Sequence, residues 1–418
     1  MVFPCGSEIG LNIYSSVRYS TYFHLVGGSS IDDHGMFIYK DYIGNIPFIT
    51  DDNFIPSFKK IIKENKIDAV YPAMDAVITF LKEHEQELGC YVIAPPLETT
   101  EICLSKRKTY ETFQEVVLTP KVFERDRIND YPVFVKPNIG YGAIGTKIIF
   151  SETSLADFLA EKEDMLILEY LPGEEYTVDC FSDKDGNLLY SAARGRNRVK
   201  NGVSINTSFV ADQKEFEEIA QKINEKIEFR GAWFYQVKRN KEGHLCLLEV
   251  AARLGGSSLL SRAIGVNLAL LTLFDAFDYK VSIQQNKGYS VILDRVLSNN
   301  YIYSNLSYSK VYVDYDDCLL LDKTTVNADL VKFLFKSVNE GKKIILLTKH
   351  VGELEPELRK YRLSGLFDDI IQIQKEDKKS RYIDKDAIFF DDSFAERVEV
   401  QREVGISVFS PEMVDVLQ

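Results

Sequence analysis

The chain has six cysteines in 418 residues, Cys5, Cys90, Cys103, Cys180, Cys246 and Cys318, and no two stand at C-x-x-C spacing. Zinc knuckles and dithiol redox motifs need that spacing, so neither is expected, and the scattered thiols read as reduced cysteines of a cytoplasmic protein. Excess positive charge is also missing: 63 acids against 50 bases leave a net charge of −13. That balance argues against a general binder of nucleic acid or of anionic membrane, although it permits a local basic pocket. No apolar run approaches the ~20 residues that span a bilayer. Residues 1–6 lack the charged segment and long apolar core of a signal peptide. No internal repeat or low-complexity tract is present. What remains, 45% hydrophobic and 27% charged residues, is ordinary globular composition, and the length suggests two to four domains at roughly 100–200 residues each.

Residues 1–104 alternate short apolar runs (2–5, 66–71, 90–94) with helical spacing (58–64, 76–87), a pattern that implies a parallel sheet. This block has no G-x-G-x-x-G, so no dinucleotide site is expected there. Residues 105–300 mix strand-like runs with helical stretches at 106–116, 152–162 and 213–227. Residues 301–309 are rich in serine and tyrosine and read as a linker, and strand and helix alternate again from 310 to 418.

The most informative stretch is 133–146. An apolar strand ends in Lys136 and Pro137, a loop with Gly140, Gly142 and Gly145 follows, and 147–150 reads as a second strand. Glycines let a loop turn its N–H groups toward an anion, and a strand-end lysine places a point charge on phosphate. Four more features follow in order. Glu169 ends a strand before Tyr170 and Leu171, Glu175 opens the next, Gln236 lies on a third, and Glu249 stands four residues before Arg253. Carboxylates of this kind suit magnesium shared with phosphate oxygens, and an arginine can fork a transferring phosphoryl group.

This order resembles the ATP-grasp superfamily, in its carbamoyl phosphate synthase large subunit and biotin carboxylase branch, over about residues 1–300. The resemblance implies a preceding α/β domain followed by an ATP-grasp fold. It implies that Lys106 and Lys136 contact nucleotide phosphates under the loop 138–146, and that Glu169 with the backbone of Tyr170 and Leu171 holds adenine. It further implies that Glu175 binds the ribose, that Gln236 and Glu249 carry magnesium (manganese being the alternative ion), and that Arg253 stabilises the transferred phosphate. Where the family usually has a further metal-binding asparagine, this chain has Ala251. The basic stretch 194–202, with Arg194 and Arg196, is where the family places contacts to the acyl substrate, and its cations suit a carboxylate or a phosphorylated compound. A solvated basic hairpin is the competing reading. His24, Asp32, Asp33, His34 and Asp75 carry no readable chemistry and are assigned structural roles.

In the last block, an apolar strand over 311–313 ends in Asp314, Asp316 and Asp317. Thr348, Lys378-Lys379-Ser380 and Asp391-Asp392 each follow an apolar run or begin a helix. Strand C-termini of a parallel sheet meet at one edge, and carboxylates gathered there need a cation. These residues resemble the haloacid dehalogenase phosphotransferase superfamily. The resemblance implies Asp314 as nucleophile, Asp316 as general acid/base, and Thr348 with Lys379 on the phosphoryl oxygens. Asp391, Asp392 and Asp314 would hold magnesium. Lys378 and Lys379 are not separable from sequence, and Cys318 replaces the usual threonine. The 30 residues of 318–347 leave no room for a large cap domain.

The expectation is an α/β protein: a pre-ATP-grasp domain (1–104), an ATP-grasp domain (105–300), a linker (301–309) and a small Rossmann-like haloacid dehalogenase-type domain (310–418). Its expected activity is ATP-dependent joining of a small carboxylate to an amine through an acyl phosphate, with a fused phosphatase domain. Either substrate could carry a phosphate, and an oligomer is open. A small-molecule kinase and a slow-turnover nucleotide-binding regulator are the alternatives.

Overall fold

In the computed structural model, which describes every residue except 141, 201, 287, 297 and 418, contacts divide the chain into Met1–Leu297 and Ser298–Gln418. The first unit opens with a parallel sheet. Its strands run in the order Asp41–Ile43, Val26–Gly28, Val2–Phe3, Ala69–Pro72, Tyr91–Val92. Parallel neighbours require crossovers, supplied by helices that include Glu8–Val17 and Phe54–Glu64. The first helix is set by Ser7, whose Oγ accepts from Gly10 N at 3.1 Å. The single helix expected over 76–87 is instead two, Asp75–Glu83 and Glu85–Leu88, broken at His84 (φ −98°, ψ 11°). Helical spacing runs through such a break, which is why the pattern alone does not reveal it.

Two antiparallel sheets follow. The smaller has the order Val122–Phe123, Met165–Glu169, Val133–Pro137, Lys147–Ile149. The larger has the order Leu245–Ala251, Gly231–Arg239, Glu175–Ser182, Leu188–Lys200, Val203–Phe209, Ile292–Asp294. Residues 177–182 are buried without alternation, because both faces of this sheet are covered. On one face lies the helix Lys214–Lys226, burying Phe216, Ala220 and Ile223 at helical spacing. On the other, Ile9 and Ile13 of the first helix share a core with Phe181, Ala232 and Leu273. Residues from 1–104 and from 105–297 thus bury apolar surface together. The expected helices at 106–116, 152–162 and 213–227 are Lys106–Phe113, Glu152–Leu159 and Lys214–Lys226; side-chain spacing outlasts the last hydrogen-bonded turn.

The second unit is a five-stranded parallel sheet, ordered Asp369–Gln372, Lys343–Thr348, Lys310–Val313, Ala387–Phe390, Ser407–Phe409. Between its first two strands in sequence lie only the hairpin Leu320–Leu321/Thr325–Val326 and the helix Ala328–Asn339. Among the described residues no helix is long and apolar enough to cross a membrane.

Candidate active sites

In the first unit, the larger antiparallel sheet, the glycine loop between two strands of the smaller sheet, and residues of the parallel domain border a cavity of about 520 Å³. Lys106, Gly140, Gly142, Arg194, Arg196, Gln236, Glu249, Ala251 and Arg253 all line it. Residues separated by well over a hundred positions therefore meet there, while Lys136, Gly145, Glu169, Tyr170, Leu171 and Glu175 are not among the residues that line it. Tyr141 of the glycine loop and Asn201 of the basic stretch lie outside the described residues.

Lys106 starts a helix capped by Ser105 and donates from Nζ to Gly140 O at 2.9 Å. Lys136, only 7% exposed, donates to Leu248 O at 3.0 Å, one residue from Glu249. Burial lowers its pKa from 10.5 to about 7; Glu249 opposes that and Lys106 adds to it. Between the lysines Asn138 ties the loop down: its Oδ1 accepts from Ser105 Oγ (3.0 Å) and Arg107 N (2.9 Å), and its Nδ2 donates to Asp164 Oδ2 (2.9 Å). Sequence reasoning missed Asn138, although an asparagine between a proline and a glycine run is a recognisable turn signal. At the loop, Gly142 (φ +61°) and Gly145 (φ +75°) adopt left-handed backbone that favours glycine.

Glu249 and Gln236 are directly paired across adjacent strands, so both side chains project to one face. Arg253 is gripped by Asp75, Nε and Nη2 each 2.8 Å from a carboxylate oxygen, and lies 5.2 Å from the Phe234 ring. Burial pulls the guanidinium pKa down, but Asp75, then Glu249 and Glu8, hold it above its ordinary value. Asp75 therefore holds Arg253 in place; a contact across 178 positions leaves no local signal.

The basic stretch is a hairpin, and its arginines are not free. Arg194, 2% exposed, is bound by Asp179 (Nε–Oδ2 2.7 Å, Nη2–Oδ1 3.3 Å). Gly255 makes room for that pair, since a Cβ there would meet Asp179 Oδ1 at 2.7 Å and Arg194 Nη2 at 2.8 Å. Arg196 pairs with Glu175 at 3.0 Å and donates to Gly202 O at 2.6 Å. Lys238 also approaches Glu175, at 3.8 Å. Glu175 thus faces two cations beside the cavity wall. Glu169 ends the inner strand Met165–Glu169 of the smaller sheet, just before Tyr170 and Leu171, and its Oε2 accepts from Lys121 N at 3.3 Å; Leu171 is buried.

In the second unit, Asp314, Thr348 and Asp391 stand at the C-terminal ends of three adjacent strands. Carboxylate oxygens of Asp314, Asp391 and Asp392 lie within 4.8 Å of one another. Lys379 lies between two of them, 2.7 Å from Asp314 and 2.6 Å from Asp391. Lys378 is exposed and Lys379 buried, so the geometry separates the two lysines. Burial raises the Asp314 pKa to about 6; Lys379 works against that and Asp391 with it. Asp316 is held by His350, Nδ1 lying 3.0 and 2.9 Å from its two oxygens, a partner the sequence reading did not identify.

Residues 161–293 match the family described as "ATP-grasp in the biosynthetic pathway with Ter operon". The 3-methyl-D-ornithine–L-lysine ligase of Methanosarcina acetivorans is 29% identical over 129 residues, 30% of this chain and 33% of that protein. The chain thus spans about a third of the length of the curated relatives it matches. Among solved structures, the L-amino acid ligase of Bacillus licheniformis superposes with a TM-score of 0.54 at 18% identity, covering 66% of this chain and 73% of that one. N5-carboxyaminoimidazole synthetase of Staphylococcus aureus, complexed with ADP, gives 0.56 at 16% identity, covering 70% and 80%. The first unit therefore has an ATP-grasp fold, and its segment 161–293 matches an ATP-grasp family model.

Proposed function

We propose that the first unit is an ATP-dependent ligase that joins a small carboxylate to an amine. The observation that carries this reading is the convergence of Lys106, the glycine loop, Glu249 with Gln236, and Arg253 on one cavity. The donor set fits a metal–nucleotide: two buried amines and a glycine loop for phosphates, and a carboxylate beside an amide for a divalent ion. In the reaction, a carboxylate oxygen attacks the γ-phosphorus of ATP and the bond to the β-phosphate oxygen breaks, giving an acyl phosphate and ADP. The amine then attacks the acyl carbon, loses a proton, and expels inorganic phosphate. Magnesium, when bound, neutralises phosphate charge. Lys106 and Lys136 hold the phosphates, and Arg253, pre-aimed by Asp75, meets the charge that develops on the transferred group. Glu169, Tyr170 and Leu171 hold adenine, and Glu175 takes the ribose by exchanging its bonds with Arg196 and Lys238. The ligase names of the relatives, including one that joins two amino acids, support the reaction class over kinase or regulator. The test is ADP formation by the full chain with ATP and magnesium over a panel of acids and amines. Acid-dependent ADP release, lost in Glu249→Ala by roughly 30- to 1000-fold, is the expected result; acid-independent turnover in both proteins would exclude the assignment.

For the second unit we propose magnesium-dependent hydrolysis of phosphate monoesters at a haloacid dehalogenase-like site. Asp314 attacks phosphorus as the ester P–O bond breaks, forming an aspartyl phosphate while Asp316 protonates the leaving alcohol oxygen. Water then attacks the phosphorus, restoring Asp314 and releasing inorganic phosphate, with Thr348 and Lys379 binding the phosphoryl oxygens throughout. Asp391 and Asp392 complete the metal site with Asp314, and the three-carboxylate cluster with its lysine supports the reading.

A further inference from the structure

At the end of the first-unit cavity formed by the parallel domain, Glu8 opens the helix Glu8–Val17, and its carboxylate lies against the backbone of Gly256. A Cβ on Gly256 would stand 2.0 Å from Glu8 Oε1 and push the carboxylate aside, so the glycine leaves room for it. Glu8 Oε1 forms an ion pair with Arg295 Nη1 at 2.6 Å, but this buried oxygen has no hydrogen-bond partner. Arg295 has a bond of its own, to Ser204 O at 3.2 Å, and so can release Glu8 without losing its place. A short helix-end carboxylate in water would need none of this arrangement. Here one carboxylate oxygen is buried without a hydrogen bond, the side chain as a whole stays partly open to the cavity, and the group is near enough to Arg253 to act on its charge.

We infer that Glu8 is the ammonium anchor for the acid substrate, which is therefore an α-amino acid rather than a plain carboxylate. The inference rests on the ligase reading above. An amino acid bound this way places its ammonium on Glu8, supplying the hydrogen-bond donor that Oε1 lacks, and turns its carboxylate toward Arg253 and Glu249, where phosphoryl transfer takes place. Arg295 is the resting partner that the ammonium displaces. A dicarboxylate would bring like charge against Glu8, and a simple fatty acid would leave the carboxylate under-bonded.

The experiment uses the full chain with ATP and magnesium. ADP release is measured with each common L- and D-amino acid and with matched acids that lack the amino group. Thermal stabilisation by the same compounds reads binding without turnover. At least one amino acid should raise ADP release and melting temperature while its des-amino analogue does neither. Glu8→Gln should raise the KM for that amino acid roughly 10- to 100-fold, with the KM for ATP unmoved, and should abolish the thermal shift. Arg295→Gln frees Glu8, so its amino-acid KM should hold or fall. Equal stimulation by the des-amino acid, or an unchanged KM in Glu8→Gln, overturns the inference and leaves the ligase standing. A parallel rise in KM in both variants would make the pair a structural clasp and also overturns it. If no acid of either kind raises ADP release, the ligase reading falls and this inference falls with it.

Discussion

Lys136 should take up a proton when a nucleotide binds. Its ammonium sits at the end of an apolar strand, 5.3 Å from the Tyr110 ring, with one backbone acceptor. Burial there moves its pKa from 10.5 to about 7, a displacement worth about 5 kcal/mol at 1.36 kcal/mol per unit. The folded chain therefore binds fewer protons at this site than the unfolded chain between about pH 7 and 10.5, and this group's contribution to stability rises with pH across that window. Below about pH 7 its full cost is present. At pH 8 roughly nine in ten free molecules would carry neutral Lys136. Phosphate oxygens restore the charged form, so binding of magnesium–ADP should take up close to one proton at pH 8 and almost none below about pH 6. Titration calorimetry in buffers of different ionisation enthalpy counts that proton directly. Lys136→Arg, always charged, should bind without uptake. A buffer-independent binding enthalpy at pH 8 in the wild type would refute the argument, as would the same uptake in Lys136→Arg.

Gly255→Ala should cost ~1–3 kcal/mol of stability by denaturant unfolding, because the new methyl meets the buried Arg194–Asp179 pair; an unchanged midpoint would mean the pair yields freely. Ala251→Asn places an amide on the cavity wall near Glu249 and should lower the magnesium concentration for half-maximal ADP formation, so an unaltered magnesium titration removes position 251 from the metal account. Asp314→Asn should abolish magnesium-dependent hydrolysis of an aryl phosphate by the full chain and leave its ADP formation intact, and hydrolysis at the wild-type rate would show that another group attacks phosphorus.

Legibility followed the range of each interaction. The strand carrying Lys136, the glycine loop and the strand carrying Glu249 are local patterns, and period and residue type were enough to place them. The grouping of Asp314, Thr348 and Asp391 was legible because parallel strands of similar length put their C-termini on one edge. The partners of the charged groups were not. Asp75 and Arg253, Asp179 and Arg194, and Glu8 and Arg295 meet through tertiary packing, and an acid or arginine destined for a buried pair has the same local sequence as a solvated one. Lys378 and Lys379 show the same limit over one residue: the 3-10 turn Lys379–Tyr382 decides which amine faces the aspartates, and its register has no sequence marker.

Four arginines stand at the first cavity, Arg194, Arg196, Arg253 and Arg295, and each is met by its own carboxylate, Asp179, Glu175, Asp75 or Glu8. These four pairs project little field of their own, because each closes on itself within a few ångströms. Charged ligands are then not drawn in from a distance; they are sorted on arrival by which pair they can open. Association rates should accordingly change little with ionic strength, while dissociation rates carry the selectivity.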